Sequence, residues 1–183
     1  MTRLPKLPPH DLTGDQRAVY DSIAGGRRAQ GPQRFRLTDD DGALEGPFNA
    51  FLLQPRVGHA LQALGAAIRY ETQLSDRHRE IAILVVAAQQ ESAFEWHAHE
   101  GQGRDAGLTD EELAGLKASR FDALAGTDRT VAETAYALVE RGDLDDAGYA
   151  RALDVLGEPG LFEVLTLVGY YRALAVQLRV FRV

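Results

Sequence analysis

The sequence predicts an all-α fold, a bundle of seven or eight helices, on three observations. Apolar residues recur at helical spacing along most of the 183-residue chain. No segment alternates apolar and polar residues as a half-buried strand would, and capping residues stand where the periodic stretches begin. No repeat of fixed period is visible, which leaves a bundle as the architecture.

Thr13 followed by Gln16 is a capping box. Val19, Tyr20 and Ile23 then recur at helical spacing until Gly25 and Gly26 stop the helix. Residues 27–46 read as a polar loop, with Gly31, Pro32, the acidic run Asp39 to Asp41, and Gly42. Gly46-Pro47-Phe48-Asn49 turns into a short apolar piece, Ala50 to Leu53. Pro55 then suits the first turn of a helix carrying Val57, Leu61, Leu64 and Ile68.

Ser75 caps a helix over about 76–90 whose second half is apolar all round, as befits a helix inside a bundle or an oligomer. A further helix over about 93–106 ends at Gly107, the residue type favoured just past a helix C-terminus. Thr109 with Glu112 is a second capping box and opens a short helix to Ala118. After a linker at about 120–127, helices follow at about 129–141 and 146–156. Glu158-Pro159-Gly160 breaks the chain, and the last helix runs from Leu161 to about Phe181.

Composition narrows the function. The chain is 45% hydrophobic and 26% charged, which is ordinary for a globular protein. Its net charge is −7, with 20 Lys and Arg dispersed among 27 acidic residues, so nucleic acid and anionic membranes are poor partners. The opening, Met1 to Pro9, lacks the apolar stretch of a secretory signal, and the expectation is a cytoplasmic protein. The apolar run Ile81 to Ala88 is too short to span a bilayer, and Glu163, Arg172, Gln177 and Arg179 interrupt the longer stretch from Leu161 to Val180. No membrane span is expected. Two helices apolar on nearly every side exceed what one small bundle surrounds, so a homo-oligomer is expected. The absence of cysteine excludes disulfides, thiolate metal sites and thiol nucleophiles.

Three residues stand out for acid–base chemistry. Glu95 and His99 are four apart, which on a helix puts both on one face. A carboxylate beside an imidazole orients the ring and favours its taking a proton, as general acid–base catalysis requires, although the same spacing also describes a solvated surface pair. Glu80 begins the apolar run and should point inward, where a carboxylate needs a partner such as Arg or His. The alternative for Glu80 is a surface pair with Arg77. His97 and His99 point away from one another on a helix and do not easily share an ion, and no pair of histidines stands four apart. No metal is expected. Trp96 beside the pair reads as core or as pocket wall. His10, His59 and His78 show no partner pattern. Phosphate loop, serine elbow and dinucleotide fingerprint are all missing.

Three segments together resemble the carboxymuconolactone decarboxylase family, which shares its fold with the alkylhydroperoxidase-D-like proteins. They are Leu74-Ser75-Asp76-Arg77-His78-Arg79-Glu80-Ile81-Ala82-Ile83-Leu84-Val85, Phe94-Glu95-Trp96-His97-Ala98-His99, and Ala106-Gly107-Leu108-Thr109-Asp110-Glu111-Glu112. The resemblance covers about 46–116. It divides the chain into an N-terminal extension of helix and polar loop, 1–45, and a family-like helical domain, 46–183.

Peroxidase members of that superfamily use a Cys-x-x-Cys pair with an upstream Glu and a following His. The matching positions here are Ser92 and Glu95 in place of the cysteines, with Glu80 and His99 as the helpers. Thiol peroxidation therefore has no nucleophile. The decarboxylase branch has Glu-x-x-x-His, here Glu95 and His99, and works without a metal or organic cofactor. The resemblance implies a lyase (a decarboxylase) or isomerase acting on a small conjugated lactone or keto acid, with protonated His99 as the acid. Glu95 would hold its ring, and Glu80 would tune the pocket or shuttle the proton. It also implies a trimer or hexamer. Asn49, Trp96 and Tyr171 are candidate substrate-binding residues. The alternatives are a binding or assembly member of the fold without chemistry, or a vestigial peroxidase-like protein.

Overall fold

Helix dominates the computed structural model, which describes residues 2–30 and 35–183. The chain is 70% helical with no strands among the described residues. Among the described residues eight α-helices follow one another: α1 (Gly14–Ala24), α2 (Pro47–Phe51), α3 (Pro55–Tyr70), α4 (Asp76–Gln89), α5 (Ala93–Asp105), α6 (Asp110–Lys117), α7 (Gly126–Arg141) and α8 (Asp146–Phe181). Between α1 and α2 the described residues of the expected loop include a 3-10 turn, Arg27–Ala29, and an isolated antiparallel bridge from Thr38 to Leu44. Its Gly31 and Pro32 lie outside the described residues.

Both capping boxes form: the Thr13 hydroxyl accepts from the Gln16 N–H and that of Thr109 from the Glu112 N–H, each with the reciprocal side-chain bond. Two boundaries differ from the sequence reading. Helix α7 begins at Gly126 rather than near 129. The break before the last helical stretch falls at Gly157, inside α8, and not at 158–160. Gly157 takes φ 67°, a left-handed conformation that costs glycine little. Pro159 follows in the first turn of the next helical arm, where its missing N–H is harmless.

The chain forms two compact units, Met1–Ala67 with Val176–Val183, and Ile68–Ala175. The division falls within α3 and α8. In the first unit Val19, Ile23, Leu44, Phe48, Phe51 and Leu52 form an apolar core. The outcome for α3 is informative. Val57 and Leu64 are exposed, while Gly58, Gln62 and Gly65 on the opposite face are buried. The Gln62 amide donates to the Ser22 carbonyl and accepts from Arg28, which satisfies a polar group that burial would otherwise penalise.

In the second unit α4 is central, packed on α5, α6 and α7. Every residue from Arg79 to Ala87 is buried, so the all-round apolar character of this stretch reflects burial on all sides. The Ser75 hydroxyl caps α4 by accepting from the His78 N–H. The Glu163 carboxylate accepts from the Gln73 and Leu74 N–H groups just before it. Gly103 lets α5 approach closely: a Cβ there would come within 2.9 Å of Leu108 and 3.2 Å of Leu84 on α4. Arg77 joins three segments, donating to Asp128 at 2.7 Å, to the Gly107 carbonyl at 2.6 Å and to Glu112 at 2.5 Å.

Candidate functional site

The turn between α4 and α5 sets the site. Glu91 closes it with φ 50°, and Ser92, buried, stands just ahead of α5. Helix α5 then packs along α4 and brings Glu95 and His99, one helical turn apart, against Glu80. All three side chains are buried: 2% of Glu80, 4% of Glu95 and 5% of His99 remain accessible.

The contacts divide cleanly between the two ring nitrogens. His99 Nδ1 lies 2.7 Å from Glu80 Oε2, a hydrogen bond. His99 Nε2 lies 3.6 Å from Glu95 Oε2 and 3.4 Å from the Tyr171 hydroxyl. Tyr171, on α8 and also buried, meets the imidazole edge-on with ring centroids 5.3 Å apart. The geometry thus exchanges the parts expected of the two carboxylates. Glu80 holds the ring at Nδ1, and Glu95 stands with Tyr171 at Nε2.

The surface pairing considered for Glu80 is not formed, because Arg77 is engaged by Glu112 and Asp128. The cation near Glu80 is instead Arg69, from the last turn of α3, with Nη1 4.0 Å from Glu80 Oε1. Arg69 also donates to the Gln102 side chain, and Gln102 donates to the Ala98 carbonyl at 2.9 Å. Sequence reasoning missed Arg69. Its one signal, a basic residue ending a helix, is met wherever a cation complements the helix dipole.

The other candidates have their own surroundings. Trp96 is 9% exposed, has Lys117 over its ring at 5.2 Å, and buries an indole N–H without a hydrogen-bond partner among the described residues. Asn49, in the first unit, clamps the N-terminal segment: its amide accepts from the Leu7 N–H at 3.1 Å and donates to the Pro5 carbonyl at 2.9 Å. His97 is exposed. Among the described residues no group of three or more His, Cys, Asp or Glu side chains is placed to hold a metal ion.

This all-helical protein therefore buries a ring with a carboxylate at one nitrogen and a second carboxylate and a phenol at the other. The sequence model of the carboxymuconolactone decarboxylase family matches residues 55–141, a stretch that runs from the start of α3 to the end of α7 and holds Glu80, Glu95 and His99. Over this stretch the chain is similar to that family. Its all-α architecture agrees with the alkylhydroperoxidase-D-like fold. No curated protein matches the chain.

Proposed function

We propose that the protein is a cofactor-independent lyase or isomerase that acts on a small conjugated lactone or keto acid, with His99 moving the proton. The observation that carries this reading is the buried imidazole held through Nδ1 at 2.7 Å by Glu80. An ionised carboxylate at that nitrogen fixes ring and tautomer and stabilises the imidazolium, as an acid–base histidine requires.

In a decarboxylation the bond between the substrate carbon and its carboxylate breaks and carbon dioxide leaves. The electron pair passes into the conjugated carbonyl as an enolate. Protonated His99 delivers its Nε2 proton to carbon and regains one from solvent, with Glu95 and Tyr171 beside that nitrogen as relay groups. In an isomerisation the same nitrogen takes a proton from one carbon and returns it to another. Net acidity of the chain makes nucleic acid a poor partner.

The reading includes a cytoplasmic homo-oligomer, a trimer or hexamer. Its support is an uncharged stripe on α8. Phe162 (68% exposed) and Leu165 (42%) precede the exposed Gly169 and Ala173, and the same spacing continues in sequence to the exposed Val176 and Val180. Such a face is what a second copy would cover. By length and composition α8 would also cross a membrane, yet half of its apolar window is buried, as in the core helix of a soluble protein.

The test is His99→Gln, assayed for carbon dioxide release and for double-bond migration on a panel of unsaturated lactone acids and β-keto acids. Loss of turnover by roughly a hundredfold or more, with circular dichroism unchanged, is the expected result. Equal turnover by the variant overturns the reading.

A further inference from the structure

A cavity of about 250 Å³ opens between α7 and the first turns of α8, and it shares no lining residue with the acid–base site. A sharp return of the chain builds it. Gly142 ends α7 in the left-handed region at φ 73°, with its N–H bonded to the Leu138 carbonyl. The Asp145 carboxylate then caps the start of α8 by accepting from the Gly148 N–H at 2.7 Å. Phe121 and Tyr136 give the cavity an aromatic wall, meeting edge-on with ring centroids 5.8 Å apart.

The polar groups of the lining fall into two sets. The carboxylates are engaged: Glu133 accepts from Arg129 at 2.7 Å, Glu140 from the Tyr136 hydroxyl at 3.4 Å, and Asp145 from Gly148. Three donors are not. Arg141 and Arg151 line the cavity with no hydrogen bond or ion pair among the described residues. Thr134 lines it too, only 4% exposed, and its hydroxyl likewise makes no bond among them. A buried hydroxyl without a partner costs free energy, so the lining lacks an acceptor.

We propose that this cavity binds a single-ring aromatic monocarboxylate, with the ring against Phe121 and Tyr136. Its carboxylate accepts from the guanidiniums of Arg141 and Arg151 and from the Thr134 hydroxyl. Thr134 and Arg141 stand two turns apart on one face of α7, about 10 Å along the axis, a gap that an arginine side chain and a carboxylate together span. Size limits the ligand to one ring, since pockets for drug-sized molecules run to roughly 300–1,000 Å³. Charge limits it to one anion. With Glu133 neutralised by Arg129, two guanidiniums face Glu140 and Asp145, a balance that suits a single negative charge better than the two of a phosphate.

The experiment titrates benzoate into the 15N-labelled full chain and follows the amide signals of α7 and α8. Saturable shifts confined to the cavity are expected, with a dissociation constant of about 1–10 mM. Arg141→Met and Arg151→Met each remove a charge-assisted donor from an exposed, unbonded side chain, and each should weaken binding about three- to tenfold. Thr134→Val keeps the shape without the hydroxyl and should weaken it about threefold. Benzamide, which has the ring without the charge, and inorganic phosphate, which has charge without the ring, should each bind about tenfold more weakly.

Shifts that fail to saturate, or arginine variants that bind benzoate as the parent does, overturn the proposal. So does unchanged binding in Thr134→Val, or equal binding of benzamide or of phosphate. None of these readings uses turnover, so they stand or fall apart from the chemistry proposed for His99.

Discussion

Glu80 Oε2 and His99 Nδ1 are 2.7 Å apart in a pair whose side chains are 3% and 7% exposed. Nineteen residues separate them in sequence, so the bond depends on α4 and α5 packing in one register. Glu80→Gln keeps the shape and removes the charge. The expected result is a fall in turnover of about a hundredfold to ten-thousandfold, because the ring loses the partner that fixes its tautomer. Stability should fall by about 1–3 kcal/mol, as for a disrupted buried hydrogen bond to a charged group. Urea unfolding and 15N spectra of the ring check the two parts separately; a variant with unaltered ring signals would contradict the orienting role.

A second prediction concerns acid stability, away from the site. Burial raises the proton affinity of Glu112, but the Thr109 N–H and the Arg77 guanidinium outweigh it, and its carboxyl stays below the ordinary glutamate range. A carboxyl depressed in the folded state contributes stability above its unfolded value, and loses that contribution as pH falls through its folded value. Glu112→Gln should therefore unfold at lower urea than the parent at pH 7, by about 1–2 kcal/mol. The gap should close in strong acid. A gap that persists there would mean that Glu112 acts through packing and not through charge.

The stripe on α8 yields a third. Phe162→Glu combined with Leu165→Arg places charges on an exposed apolar face and touches no buried side chain. Light scattering should show the assembled parent converted to single chains, with helix content kept. A parent that is already monomeric, or a variant of unchanged mass, would remove this face from the assembly.

The burial of Glu80 was legible from its place at the head of the apolar run, since every residue from Arg79 to Ala87 is buried whichever side it faces. Pairing was not legible. Which carboxylate meets which ring nitrogen depends on side-chain rotamers and on the depth of α5 against α4, and neither leaves a mark in residue spacing. Arg69 escaped for a related reason: its partner lies on the next helix, beyond the reach of any local pattern. Helix α3 shows the converse. Its apolar spacing correctly gave a helix and a buried Ile68, but Gly58, Gln62 and Gly65 are buried too, chosen by close approach and a hydrogen-bonded amide instead of by hydrophobicity. The α8 break moved to Gly157 because a left-handed residue, and not the proline after it, lets the chain turn there.

The imidazole of His99 is occupied at both ends, and its flank is blocked by the edge of Tyr171. A ring gripped in this way has no room to spin, and it has no need to. With Nδ1 against Glu80, the ring keeps Nε2 turned to Glu95 and Tyr171, an orientation set when the helices packed.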